Sequence, residues 1–175
     1  MNSGAVTINT PPLHIRTVGV LIDSASSYFN KRAIGELIDA ADERGIHLVF
    51  YFGGALEKEK TSGPYSYSYS LPHPETIDAL ILLPHSIAPF SPTTAVSLIA
   101  RQFPTIPVYS LCGHLPGYYS IWTQDDKPIE QMIYHLVDDH KYKRFAVLSG
   151  PSSSESVSHA RLVAITRVLK SRDIL

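Results

Sequence analysis

Asp23-Ser24, followed shortly by Tyr28-Phe29, combines short oxygen acceptors with two flat apolar rings. That combination suits recognition of a small polar molecule with a flat face, such as a sugar or a nucleoside. The same residues have plainer uses: an Asp or Ser just past a strand is a common helix N-cap, and Phe29 would serve in a core. Covalent chemistry has weaker support. A hydrolase would need Ser24 or Ser152 within hydrogen-bond reach of His85 or His114, and Gly150-Pro151-Ser152-Ser153-Ser154 is not a G-x-S-x-G nucleophile elbow. The histidines His14, His47, His73, His85, His114, His135, His140 and His159 show no H-E-x-x-H or other tight ligand spacing, so no metal site is expected. Neither a G-x-x-x-x-G-K-[ST] loop nor G-x-G-x-x-G occurs, so NTPase and dinucleotide readings fall away and no cofactor is expected.

Composition sets the frame for these residues. The chain has 175 residues, 44% hydrophobic and 18% charged, which is the range of one ordinary soluble domain. With a net charge of −1, no whole-chain field attracts nucleic acid or an anionic membrane. Lys141-Tyr142-Lys143-Arg144 is a local basic patch, better read as the lead-in to a strand than as a phosphate site. The single cysteine, Cys112, fits a reducing compartment. No signal-peptide pattern opens the chain, and no run of about 18 apolar residues occurs. A cytoplasmic protein without a membrane partner is the expectation.

The elements that must position the site follow from the apolar pattern. After a Ser/Thr/Asn/Pro-rich lead over residues 1–16, Thr17 to Asp23 reads as a buried strand, and Asn30 to Arg44 as a helix stopped by Gly45. Strands are expected at His47 to Phe52, Ala79 to Leu83, Pro107 to Leu111, Tyr118 to Thr123 and Phe145 to Leu148. Helices are expected around Pro92 to Gln102, from Ile129 to Val137, and from about Ser156 to Ser171. Between Glu57 and Pro74 the run Tyr65-Ser66-Tyr67-Ser68-Tyr69-Ser70 reads as an exposed loop or edge strand, with an aromatic binding strip as the alternative. The alternation predicts an α/β fold: a parallel sheet flanked by helices.

Three segments carry a family resemblance. The first is Val18-Gly19-Val20-Leu21-Ile22-Asp23 with Tyr28-Phe29, Gly35 and Ala40-Ala41-x-x-Arg44-Gly45. The second is Phe52-Gly53-Gly54-Ala55-Leu56 with Ile77-Asp78-Ala79-Leu80-Ile81-Leu82-Leu83. The third is His140-x-x-x-Arg144-Phe145-Ala146-Val147-Leu148-Ser149-Gly150-Pro151, then Ala160-Arg161-Leu162 and Asp173-Ile174. In order and spacing these are similar to the periplasmic-binding-protein-like sensor domain of the LacI/GalR family, closest to sensors that precede diguanylate cyclase or histidine kinase outputs. Ala79 stands where glycine is usual. Gln124-Asp125 and Pro128 replace the usual Asp-Asn pair and glycine, which alters the hydrogen-bonding set.

The resemblance implies two Rossmann-like lobes with a ligand between them: residues 17–122 as the first lobe and 123–175 as the beginning of a second, truncated one. Ligands of open α/β sheets bind beyond the carboxyl ends of the strands. The expected ligand-binding residues are therefore Asp23, Ser24, Tyr28, Phe29, Gly53, His85 and Gly113 from the first lobe, and Asp125 and Ser152 from the second. Arg161 matches the family arginine that grips the ligand from the second lobe, its alternative being a solvated helix arginine. No helix-turn-helix precedes Thr17, so no direct contact with nucleic acid is expected. The implied role is a ligand-sensing domain of a bacterial signalling or transcription-regulatory protein, not itself an enzyme. Its partners would be a sugar- or nucleoside-like ligand and a second copy or an attached output domain. The alternative is an interaction or dimerisation module of the same fold.

Overall fold

A computed structural model describes residues 16–56, 66–89, 93–123, 126–149 and 157–174. Five strands form one sheet in the order β2-β1-β3-β4-β5: β1 (Thr17–Ile22), β2 (His47–Phe52), β3 (Ala79–Leu82), β4 (Val108–Leu111) and β5 (Tyr119–Ile121). Every neighbouring pair is parallel. Parallel neighbours need crossover connections, which cover the sheet faces and explain why the strands are apolar on both sides. In β1, Val20 and Ile22 pack with Leu83 and with Ala33, Ile34 and Leu37 on one face. Leu21, between them, joins Leu80, Leu82, Val96 and Phe103 on the other. The expected α/β architecture with a flanked parallel sheet is present.

The helix α1 (Tyr28–Asp42) begins two residues before the position its apolar periodicity marks, because Ser27 caps it: the Ser27 hydroxyl accepts a hydrogen bond from the Asn30 amide at 3.0 Å. Its end follows the expectation. Gly45 adopts a φ of 61° while the Ile46 amide donates to the Ala41 carbonyl at 2.9 Å and the Gly45 amide to Asp42 at 3.2 Å, a Schellman closure. A side chain in that left-handed conformation is strained. Gly45→Ala is expected to lower stability by about 1 kcal/mol, read as a lower urea midpoint at unchanged slope.

Two short elements were not visible in the periodicity. The Tyr/Ser run, expected as an exposed loop or edge strand, is instead a 3-10 helix at Ser66–Ser70, and Tyr69 is only 2% exposed within the main core cluster. Tyr65 lies outside the described residues. Directly after β3 comes α2 (Pro84–Ile87), with Pro84 in its first turn, where a missing N–H costs nothing. The helix α3 (Thr93–Ala100) then leads to β4.

The last helices form a separate cluster. Ile133 of α4 (Asp126–Tyr134) packs with Val168 and Leu169 of α5 (Val157–Ser171). Between them α4 continues into a π-helical turn, His135–Asp139. The strand expected at Phe145 to Leu148 does not form: residues 141–149 carry no regular structure, and Leu148 is 103% exposed while Phe145 packs on the helices. A strand needs a neighbour to take its backbone hydrogen bonds, and none pairs with this segment among the described residues. No helix among the described residues is long and apolar enough to cross a membrane.

Candidate functional site at the carboxyl edge of the sheet

The strand order turns back at β1: the chain leaves it outward to β2 and returns on its other side at β3. A reversal of this kind opens a crevice outside the carboxyl ends of the two central strands, the usual ligand position in open α/β sheets. Asp23 follows β1 directly, and Ser86 sits in α2 directly after β3. The two meet there. The Asp23 amide donates to the Ser86 hydroxyl at 3.1 Å, and that hydroxyl donates to Asp23 Oδ1 in a very short contact. Asn30, 4% exposed in the first turn of α1, donates through Nδ2 to the same Oδ1 at 2.6 Å and to the Ser24 carbonyl at 2.8 Å.

The cap geometry removes the plainer use of Asp23. It is not the N-cap of α1, since Ser27 fills that position; it is a carboxylate held in place by α1 and α2 together. Oδ1 is taken up by two donors, whereas Oδ2 receives the Ser24 hydroxyl at 3.2 Å. A carboxylate positioned this way offers Oδ2 as an acceptor for a hydroxyl or amine without having to be ordered first. Ser24 is bonded to Asp23 and to Ser26 at 2.8 Å, and among the described residues no imidazole bonds to it, which is the contact a Ser24 hydrolase would need.

Tyr69 closes the β2 side of this edge. Its ring lies so near Gly53 that a Cβ there would stand 2.4 Å from ring atoms, so only glycine permits the approach. Its hydroxyl donates to the Gly54 carbonyl at 2.6 Å. Burial, reinforced by the negative charge of Asp23, raises the phenol pKa well above its ordinary value, so the ring remains a neutral donor. On the β4 side a Cβ added at Gly113 would stand 3.1 Å from the Pro84 ring, and Ser110 donates to the Gly113 carbonyl at 2.5 Å. Burial pushes the Cys112 thiol up, which disfavours the thiolate needed for nucleophilic chemistry.

The remaining sequence-derived residues are placed unevenly. His85 is half-buried in α2, next to Ser86. His114 packs against Trp122 with the rings tilted by 44° and their centroids 4.6 Å apart. Tyr28 and Phe29 are exposed at the start of α1, so Phe29 is not core; it lines a hollow of about 340 Å³ with Arg32, Glu36, Leu111 and Cys112. Arg161 is exposed on α5, in the separate helical cluster. Asp125 and Ser152 lie outside the described residues. Asn30, Ser86 and Tyr69 are the residues that sequence reasoning missed. For Asn30 a signal existed, a polar residue on the inward side of an amphipathic first turn, three residues after the capping serine.

Comparison with solved structures follows this geometry. The chain superposes on a lac repressor dimer bound to operator and the anti-inducer ONPF with a TM-score of 0.74 at 18% identity, over 94% of this chain and 54% of that one. The fold is LacI-type. The Escherichia coli repressor ascG gives a TM-score of 0.66 at 17% identity, over 90% and 54% of the two chains. A sugar-binding LacI-family regulator from Escherichia coli, complexed with phosphate, gives 0.66 at 18%, over 91% and 54%. The chain thus spans about half the length of the LacI-type structures it matches. No family model matches it, and no curated protein matches it by sequence.

Proposed function

We propose that this chain is the ligand-sensing part of a bacterial signalling or transcription-regulatory protein. It binds a small polar molecule between a first lobe, residues 17–122, and the beginning of a second, residues 123–175. The observation that carries this reading is the Asp23-Ser86-Asn30 network at the β1/β3 reversal, a preorganised acceptor where α/β sheets take ligands. Asp23 and Ser24 accept or donate to ligand hydroxyls, Tyr28 and Phe29 offer flat surfaces, and Gly53, His85 and Gly113 line the strand ends. Arg161, with Asp125 and Ser152, supplies the contacts from the second lobe. A sugar-binding regulator among the similar structures supports a sugar-like ligand.

In this reading the chain senses its ligand and does not transform it. Signalling follows from lobe closure, and a ligand shifts that equilibrium only through its differential affinity for the closed form. The chain would act as a homodimer or through an attached output domain. A second reading, an interaction module of the same fold, is favoured by an apolar groove of about 530 Å³ on the sheet face, lined by Leu37, Ile81, Tyr109, Leu111, Tyr119 and Ile121. Ile121 is 74% exposed there.

A thermal-shift screen with sugars, nucleosides and amino acids separates the two. Sensing predicts that one class raises the melting temperature, with ligand at a hundred times Kd adding about 2.7 kcal/mol. No stabilising compound, together with self-association that Ile121→Lys abolishes, would leave the interaction module.

A further inference from the structure

We propose that His135 and His140 form a binding site for a divalent transition-metal ion of borderline softness: zinc, nickel or copper. Their spacing hides this in the sequence, since residues five apart on an α-helix point about 140° away from each other. The π-helical turn His135–Asp139 changes that relation. It closes with the His140 amide donating to the His135 carbonyl at 3.3 Å, an i to i+5 bond, and so brings the two imidazoles onto one side.

The resulting geometry resembles one edge of a coordination shell. The two Nε2 atoms are 3.1 Å apart, with the rings crossing at 88°. Two nitrogens each about 2.0–2.1 Å from one tetrahedral ion would stand roughly 3.3 Å apart. Each ring is also held. The Asp139 carboxylate lies 2.5 Å from His135 Nδ1 and can accept a hydrogen bond from its N–H, the tautomer that leaves the lone pair on Nε2, facing His140. A carboxylate behind a ligating histidine fixes tautomer and orientation and raises ligand basicity. Tyr142 stacks on His140 at 5.5 Å and 18°, after Lys141 reverses the chain with a φ of 60°.

Charge around the pair is suitably divided. Asp138 is engaged by Arg172 through two bonds, 2.8 and 2.7 Å, which ties the π-turn to the end of α5. Asp139 is thereby left as the carboxylate that compensates a cation beside the histidines. The site is open, with the His135 and Asp139 side chains 58% and 67% exposed. Among the described residues no group of three metal-ligating side chains exists, so water fills the other positions. Imidazole selects zinc, nickel and copper over magnesium and calcium, which prefer oxygen shells.

Calorimetric titration of the whole chain with Ni²⁺ and with Zn²⁺ tests the site. One ion per chain is expected, with no heat from Mg²⁺. His135→Ala and His140→Ala should each weaken binding by about tenfold or more, and Asp139→Asn by about tenfold, while His47→Ala leaves the affinity unchanged. Histidine ¹⁵N resonances provide a second readout: Zn²⁺ should move the Nε2 signals of His135 and His140 together. Either alanine variant binding as tightly as the parent chain would overturn the proposal. So would Nε2 signals of both residues that Zn²⁺ does not move, which would mark the pair as an imidazole-imidazole hydrogen bond only.

Discussion

Tyr69→Ala should lower the unfolding free energy by about 3–5 kcal/mol, the range for deleting a well-packed buried aromatic ring. The ring is 2% exposed, packs in the main core cluster and sits flush on Gly53, so its removal leaves a cavity at the β2 end of the site. Tyr69→Phe isolates the hydroxyl. It keeps the packing, loses the bond to Gly54, and should cost about 1 kcal/mol. It should also change the alkaline limb of the stability curve. The folded phenol is held protonated above its ordinary pKa of 10.0, mainly by burial. The unfolded tyrosine ionises near 10, so above that pH the unfolded chain releases a proton that the folded chain retains. The Tyr69 contribution is therefore complete below pH 10 and declines as pH rises beyond it. Urea denaturation at pH 8 and pH 10.5 should show a smaller alkaline loss for Tyr69→Phe than for the parent chain. Equal losses would contradict the buried neutral phenol.

The second large effect is expected at Asp23. Asp23→Ala removes the acceptor shared by Asn30 and Ser86. Asn30 keeps its bond to the Ser24 carbonyl and a longer one, 3.4 Å, to the Ser86 hydroxyl, but its buried amide loses its shortest bond, to the carboxylate at 2.6 Å, which costs about 1–3 kcal/mol. The same substitution should abolish the ligand-induced rise in melting temperature, because the carboxylate is the central acceptor of the site. Arg101→Ala, at an exposed position directly after α3, serves as the comparison and should leave both stability and ligand response within experimental scatter. A ligand response that survives Asp23→Ala would place the binding site elsewhere.

The sheet was legible because parallel strands buried on both faces write themselves as short continuous apolar runs, as Val20-Leu21-Ile22 and Leu80-Ile81-Leu82-Leu83 do. The helix α1 was legible for a similar reason, and Gly45 marked its stop through a conformation that other residues resist. What stayed hidden depends on long-range packing. Nothing local distinguishes Tyr69 from Tyr67, yet one fills the core and the other is exposed. The burial is decided by Gly53, sixteen residues earlier, which leaves room for a ring. Likewise Asp23 and Ser86 are brought together only by the β1/β3 pairing. The strand expected at Phe145 to Leu148 failed for the converse reason. Its sequence suits a strand, but pairing requires a partner that the described residues do not supply. The π-turn is a third case, since a turn one residue wider changes which histidines face each other.

Sensing at the β1/β3 reversal is tested most directly by amide chemical-shift mapping, with a compound that raises the melting temperature titrated into the isotope-labelled chain. The signals of Asp23, Ser24, Ser86 and Gly113 should move together with one dissociation constant, and Asp23→Ala should abolish the change. Shifts confined to the groove residues Tyr109, Tyr119 and Ile121, with the Asp23 and Ser86 amides unmoved, would contradict ligand binding at the carboxyl edge.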